Sequence, residues 1–145
     1  TYIENQFFTQ IHLKELLKNY TGIIIGQSAG SLNMAKSVYN SPEEGTISEP
    51  IYFEGLGLST INIEPHFILD TTDFDDMQMY QRKHLLEESK KREIYALYDG
   101  SHILETDDSI IVYGKSFLIK DGTITQICND KESFTIDTKN KILSK

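Results

Sequence analysis

Five consecutive residues in the first quarter of the chain have the types and spacing of a nucleophilic serine. Gly26-Gln27-Ser28-Ala29-Gly30 matches the pattern G-x-S-x-G, in which a serine on a tight strand-to-helix turn projects its hydroxyl above a sheet. We expect a side chain at Gly26 or Gly30 to collide with the backbone of such a turn. The pattern is short, so an ordinary glycine-serine turn or a phosphate-binding turn would also produce it.

A serine hydroxyl becomes a good nucleophile only when a base removes its proton, and His66 is the best candidate for that base. It follows Pro65, directly after a predicted strand at residues 61–63. Reactive groups of open α/β sheets gather at the carboxyl ends of the strands, where Ser28 is expected as well. For the other histidines (His12, His84 and His102) the pattern favours structural or surface roles.

A carboxylate that accepts a hydrogen bond from the imidazole normally orients such a base. The chain order serine, acid, histidine points to the loop at residues 40–57, which contains Glu43 and Glu44. Adjacent acids in a loop are also typical of ordinary surface charge. Asp70 and Glu64 therefore stay open as alternatives.

The hydrophobic pattern indicates the elements that would position these residues. Apolar side chains recur at helical spacing over residues 4–19, 32–38 and 75–91. The β-branched run Ile23-Ile24-Ile25, just before the serine turn, is typical of a strand buried on both faces of a parallel sheet. Further strands are predicted at residues 61–63 and 93–98.

From Ser101 onwards the apolar pattern alternates, as in antiparallel strands. The runs at residues 109–113, 117–119 and 123–127 are separated by Gly114 and by Asp121-Gly122, a pair that favours a two-residue hairpin turn. We therefore predict one α/β domain over residues 1–145. Its core would be an open, mainly parallel sheet flanked by helices, and an antiparallel β meander would follow at the C-terminal end.

Composition and charge exclude several classes of protein. Hydrophobic residues make up 39% of the 145 residues, enough for one buried core. The formal net charge of −8 repels phosphate backbones and anionic lipid, so we expect no nucleic acid and no membrane as partner. The single cysteine, Cys128, cannot form an internal disulfide and has no metal-ligand spacing around it. We expect a cytoplasmic protein without a metal or other cofactor.

Residues 24–31 together with Pro65-His66 resemble the dipeptidase E and cyanophycinase family of serine peptidases, and the likeness continues through residues 95–101. That family shares the class I glutamine amidotransferase-like fold. The resemblance implies that Ser28 is the nucleophile, Glu43 the orienting acid and His66 the base. Glu44 is the near alternative to Glu43, because a one-residue gap in the loop would exchange them.

The resemblance further implies short peptides as substrates, an acyl-enzyme intermediate and an oxyanion bound by the Ala29 amide. In the family, a glycine turn in an N-terminal part supplies the second oxyanion donor. Asn5-Gln6-Phe7-Phe8 is similar to the start of the helix after that turn. We therefore expect this chain to be the C-terminal portion of a family domain that lacks the first strands. It would then associate with a complementary N-terminal segment or with itself.

Other functions stay open at this point. A truncated or degenerate family member would act as a non-catalytic binding module. Amidotransfer on the same scaffold needs a cysteine at position 28, and Cys128 lies elsewhere. An esterase on a different α/β-hydrolase sheet is disfavoured by the short interval between Ser28 and His66. Arg82 and Arg92 are candidates for binding a substrate carboxylate, although polar helical stretches favour a surface role for both.

Overall fold

The computed structural model describes residues 1–42, 50–69 and 76–137, which form a mixed α/β fold. The helices are α1 (Tyr2–Gln10), α2 (Leu13–Leu17), α3 (Ala29–Asn33) and α4 (Asp76–Glu88). The strands are β1 (Ser37–Tyr39), β2 (Tyr52–Glu54), β3 (Asn62–Glu64), β4 (Ile94–Leu97), β5 (His102–Glu105), β6 (Ser109–Tyr113), β7 (Ser116–Lys120), β8 (Thr123–Cys128) and β9 (Ser133–Asp137). None of the helices in these stretches is long and apolar enough to cross a lipid bilayer.

The strands pair into a four-stranded sheet of order β3-β4-β7-β8, a three-stranded sheet of order β5-β6-β9 and a two-stranded sheet of β1 and β2. Strands β3 and β4 run parallel and are joined through α4. The other strand pairs of the described residues are antiparallel. The mixed α/β class is therefore as predicted, whereas the described sheets are small and mostly antiparallel rather than mainly parallel.

Strand β4 lies at the centre of the core because both of its faces are covered. Ile94 and Ala96 pack with Leu85 of α4 on one face. Tyr95 packs on the other face with Ile110 of β6. A helix therefore covers one side of the four-stranded sheet and the three-stranded sheet covers the other, which makes every residue of β4 buried.

The predicted C-terminal meander divides between two sheets. Strands β7 and β8 form a hairpin whose turn residues, Asp121 and Gly122, have φ values of 50° and 76°. Two successive positive φ values fit a type I′ turn, as the Asp-Gly pair predicts. This hairpin extends the sheet of β4, while β5, β6 and β9 form the sheet that packs across it.

The first predicted helix is interrupted. It forms α1 and α2 with a break at His12, whose φ of 53° is left-handed and ends the regular hydrogen bonding of α1. The second predicted helix is also shorter, because α3 ends at Asn33 and Val38 belongs to β1. Strand β2, the partner of β1, lies at residues that the sequence indicates as loop.

The predicted buried strand at residues 23–25 is not a strand in the structure. Ile23 and Ile25 are 82% and 87% exposed. Their segment forms no ladder with any part of the chain that the structure describes. A strand is stabilised by hydrogen bonds to a neighbouring strand. These isoleucines have high β propensity, but without such a neighbour they do not form a strand here.

Candidate active site

Ser28 lies in a strained turn directly before α3. Its φ of 49° and ψ of −119° are unusual for a residue with a side chain. The Gly30 amide donates to the Gln27 carbonyl oxygen at 2.8 Å, and the Ser31 hydroxyl donates to the Ser28 carbonyl oxygen at 2.6 Å. Backbone strain at a polar residue that neighbours hold in place is typical of functional sites.

The two glycines of the motif differ in how much space surrounds them. A Cβ at Gly26 would lie 2.6 Å from the Met34 sulfur and 2.8 Å from the Gly30 carbonyl oxygen. A Cβ at Gly30 would meet only a Glu4 carboxylate oxygen, at 3.7 Å. The prediction that a side chain would collide is therefore confirmed for Gly26. It is wrong for Gly30, because Gly30 is part of α3 and faces open space.

A buried pair of asparagines anchors α3 to α1. Asn33 is fully buried, and its amide nitrogen donates to the Ala29 carbonyl oxygen at 3.0 Å and to the Thr1 carbonyl oxygen at 3.1 Å. The Asn5 amide nitrogen donates to the Asn33 side-chain oxygen at 2.9 Å. These bonds hold α3 in place next to α1. The first residue of α3 is Ala29, which follows Ser28, and its amide donates to no backbone carbonyl among the described residues.

His66 lies two residues beyond β3, and its φ of 57° is also left-handed. The Phe67 amide donates to the Leu97 carbonyl oxygen at 2.9 Å, which ties the segment to β4. The imidazole Nε2 lies 3.0 Å from Oγ of Ser28. The structure thus brings together the two residues that the sequence predicts as nucleophile and base, within hydrogen-bond distance of each other.

The other ring nitrogen of His66 contacts a carboxylate that sequence reasoning missed. Nδ1 lies 2.6 Å from Oδ1 of Asp99, and the two side chains are 61% and 80% exposed. The signal that could have found Asp99 is its place just after β4, the parallel neighbour of β3. Parallel strands bring their carboxyl ends to the same edge of a sheet.

Of the four acids that the sequence offers as partners for His66, the structure describes only Glu64. Glu43, Glu44 and Asp70 lie outside the described residues, so a role for them stays a prediction. Glu64 is buried and accepts hydrogen bonds from the Gln81 amide at 2.8 Å and from the Ser41 hydroxyl at 3.1 Å. The bond from Gln81 connects β3 to α4, and the bond from Ser41 connects β3 to the segment after β1.

A small, open pocket lies beside His66. Its lining includes Phe67 and Leu85 together with the polar side chains of Gln81 and Arg82. The lining therefore mixes apolar side chains with one cation, Arg82, and one anion, Glu64. The pocket adjoins the imidazole, where the side chain of a bound substrate could lie.

Of the two arginines that the sequence singles out, Arg82 lines this pocket and Arg92 has a structural role. The Arg92 Nε lies 2.8 Å from a carboxylate oxygen of Glu88, a side chain that is only 2% exposed. Its Nη1 also donates to the Ser37 carbonyl oxygen at 2.9 Å. Arg92 thus joins the end of α4 to β1.

The remaining candidates lie away from this site. Nδ1 of His84 contacts the Tyr80 carbonyl oxygen at 2.9 Å, and His102 stacks on Tyr113 with ring centroids 4.7 Å apart. Cys128 is buried in the core. In the described stretches, no three histidine, cysteine or acidic side chains are grouped closely enough to bind a metal ion.

Comparison with known proteins identifies the family. The model of peptidase family S51, a family of serine peptidases, matches residues 8–113. The match covers more than half of the chain and includes Ser28, His66 and Asp99. A comparison with curated proteins finds no match. The match agrees with the resemblance at the level of the family, and the chain belongs to peptidase family S51.

Proposed function

We propose that this chain is a serine peptidase that hydrolyses short peptides, as dipeptidase E does, through an acyl-enzyme formed on Ser28. The observation that carries the proposal is the 3.0 Å separation between Oγ of Ser28 and Nε2 of His66. Membership of a peptidase family supports hydrolysis of peptides in general. The positive φ of both residues supports a functional reason for their proximity.

The proposed reaction has two stages. In the first, Oγ of Ser28 attacks the peptide carbonyl carbon while Nε2 of His66 takes the hydroxyl proton, and the ring then gives that proton to the leaving amine. In the second, His66 removes a proton from water as the water oxygen attacks the acyl carbonyl carbon. The ring then returns that proton to Oγ of Ser28 as the bond between Oγ and the acyl carbon breaks. The Ala29 amide would donate a hydrogen bond to the oxyanion in both stages, and no cofactor takes part.

The pocket beside His66 supports a short substrate. Its lining combines the apolar Leu85 with the cationic Arg82 and the anionic Glu64. A guanidinium binds carboxylates with directed, charge-assisted hydrogen bonds. We therefore expect Arg82 to bind a carboxylate of the peptide, either its terminus or an acidic side chain.

A second function has one observation in its favour, which is the openness of the site. The His66 side chain is 61% exposed, and the proposed reaction names one oxyanion donor, the Ala29 amide. Loss of a single oxyanion donor typically costs on the order of 10² to 10³ in rate. A family member with this site could bind peptides through the same pocket without hydrolysing them.

Labelling of the protein with a fluorophosphonate separates the two functions, because only an activated serine reacts with it. We expect the label on Ser28, with hydrolysis of a dipeptide panel measured in parallel. Ser28→Ala should abolish both signals, while Ser133→Ala, at an exposed serine of β9, should keep the label. A parent protein that binds dipeptides but takes up no label would favour the binding module.

A further inference from the structure

The carboxylate of Glu4 lies against the first turn of α3, which follows the candidate nucleophile. Glu4 belongs to the first turn of α1, and its Oε2 accepts a hydrogen bond from the Asn33 side-chain amide at 3.3 Å. Its Oε1 lies 3.7 Å from the position that a Cβ of Gly30 would take. Gly30 comes two residues after Ser28, so this contact lies less than one helical turn from the serine.

Asn33 holds this carboxylate in one orientation. Asn33 is fully buried, and the amide nitrogen that bonds Glu4 also donates to the Ala29 carbonyl oxygen at 3.0 Å. One carboxylate oxygen is thus tied to the helix that begins after Ser28. A polar group that is already held in place binds a ligand with a smaller loss of side-chain freedom.

The other carboxylate oxygen of Glu4 is open to a ligand. No donor among the described residues makes a hydrogen bond to Oε1. Gly30 has no side chain, so nothing of that residue fills the space in front of Oε1. An ionised carboxylate only accepts hydrogen bonds, and a cationic donor makes the strongest ones. An acidic residue in the first turn of α1 also favours that helix, and the tests below separate that role from binding.

The proposed reaction places the two halves of a peptide on different sides of Ser28. His66 gives a proton to the leaving amine, so the leaving residue lies beside the imidazole, at the pocket that Arg82 lines. The acyl residue then extends away from the imidazole. Residues of α4 line the pocket beside His66, whereas Glu4 belongs to α1, which packs on α3. The surface of α3 beside Glu4 is therefore available to the acyl residue.

We propose that Glu4 binds a positively charged ammonium group of the acyl residue of the substrate. The inference rests on the proposed function, because the attack of Ser28 sets the direction of the peptide. Two ammonium groups have the required chemistry, the free amino terminus and the side chain of lysine. Glu4 on one side and Arg82 on the other fit a short peptide with an amine in its acyl half and a carboxylate in its leaving half.

Binding to the Ser28→Ala variant tests the role of Glu4 without hydrolysis. Calorimetry compares three peptides: glycyl-leucine, N-acetyl-glycyl-leucine and N-acetyl-lysyl-leucine. A hydrogen bond to a charged group contributes about tenfold or more in affinity. We therefore expect glycyl-leucine or N-acetyl-lysyl-leucine to bind about tenfold more tightly than N-acetyl-glycyl-leucine, which has no ammonium group. A gain for glycyl-leucine identifies the amino terminus as the group that Glu4 binds, and a gain for N-acetyl-lysyl-leucine identifies the lysine side chain.

Glu4→Gln in the same background should reduce this difference to about twofold or less, because the amide keeps the size of the side chain and loses its charge. Glu4→Asp, which keeps the charge but withdraws it from Gly30, should keep part of the difference. Glu15→Gln is the matched control, at an exposed glutamate of α2 that pairs with Lys18, and should keep all of it. A role of Glu4 in helix stability alone would lower the melting temperature and leave the ratio of affinities unchanged.

Equal affinities for the three peptides, the absence of binding by all of them included, would overturn the proposal, and so would a difference that persists in Glu4→Gln. In the parent protein, kcat/KM should rank the three peptides in the same order as the affinities. A parent protein that takes up no fluorophosphonate label would contradict the proposed function, and the affinities of Ser28→Ala would still decide the role of Glu4. A labelled parent protein with equal affinities in Ser28→Ala would overturn the role of Glu4 alone.

Discussion

Nε2 of His66 lies 3.0 Å from Oγ of Ser28, across an interval of 38 residues. Each of the two residues has a positive φ, 57° and 49°. A positive φ at a residue with a side chain lowers the stability of the fold by roughly 1–3 kcal/mol. The backbone conformation that brings these two side chains together therefore lowers the stability of the fold, which is consistent with the proposed reaction between them.

The strain at Ser28 predicts an opposition between stability and function. We expect Ser28→Gly to raise the free energy of unfolding by about 1 kcal/mol relative to Ser28→Ala, because glycine adopts a φ of 49° without strain and loses part of that gain to the entropy of the unfolded chain. Both variants should lose labelling by a fluorophosphonate. Urea denaturation measures the difference, and equal stability of the two variants would mean that the turn is relaxed.

The two glycines of the motif should respond in opposite ways to alanine. Gly26→Ala places a Cβ 2.8 Å from the Gly30 carbonyl oxygen, so we expect a loss of about 1–3 kcal/mol in the free energy of unfolding and slower labelling of Ser28. Gly30→Ala is the matched control. It should gain up to about 1 kcal/mol, because alanine is favoured in a helix and nothing nearer than 3.7 Å meets its Cβ. The reverse order of stabilities would contradict this description of the turn.

Labelling and hydrolysis should both rise with pH on the acid side of their profiles. In the proposed reaction the base is the neutral imidazole of His66, because a protonated ring cannot accept the serine proton. Activity is therefore expected to fall as the pH falls. His66→Gln should remove this dependence along with the activity, whereas His84→Gln, at a histidine held by the Tyr80 carbonyl oxygen, should leave the profile as it is. A flat profile in the parent protein would contradict the mechanism.

The asparagine pair should behave as one unit. Asn33→Ala removes the acceptor of the Asn5 amide and the donor to the Ala29 carbonyl oxygen, and we expect a loss of about 1–3 kcal/mol in the free energy of unfolding. Asn5→Ala should cost a similar amount. The double variant should lose less than the sum of the two, because each single variant leaves a buried polar group of its partner unsatisfied. Additive losses would show that the two side chains act independently.

The exposed isoleucines predict self-association of the chain made alone. Ile23 and Ile25 are 82% and 87% exposed in an unpaired segment of high β propensity, and such a segment favours strand pairing with a second copy. We expect sedimentation to show mass rising with concentration, and Ile23→Lys with Ile25→Lys to lower it. Leu104→Lys, at an exposed apolar side chain of β5, is the control. A monomer at all concentrations would contradict this prediction.

Local residue patterns were enough to predict several parts of the protein. The Ser28 motif and the Pro65-His66 pair point to the family that the match over residues 8–113 shows. The Asp121-Gly122 turn and strand β6 form where the pattern places them, and α4 lies within the predicted helix at residues 75–91. These features depend on φ preferences and side-chain periods that act over a few residues, so one sequence is sufficient to predict them.

Tertiary structure alone decided which carboxylate faces His66 and which strands pair. The contact between His66 and Asp99 joins residues 33 apart through the parallel register of β3 and β4, and no local pattern encodes that register. The run Ile23-Ile24-Ile25 has the composition of a buried strand, yet Ile23 and Ile25 are exposed because no described strand pairs with the run. Strand pairing is a property of two segments together, so the composition of one segment predicts its propensity and not its partner.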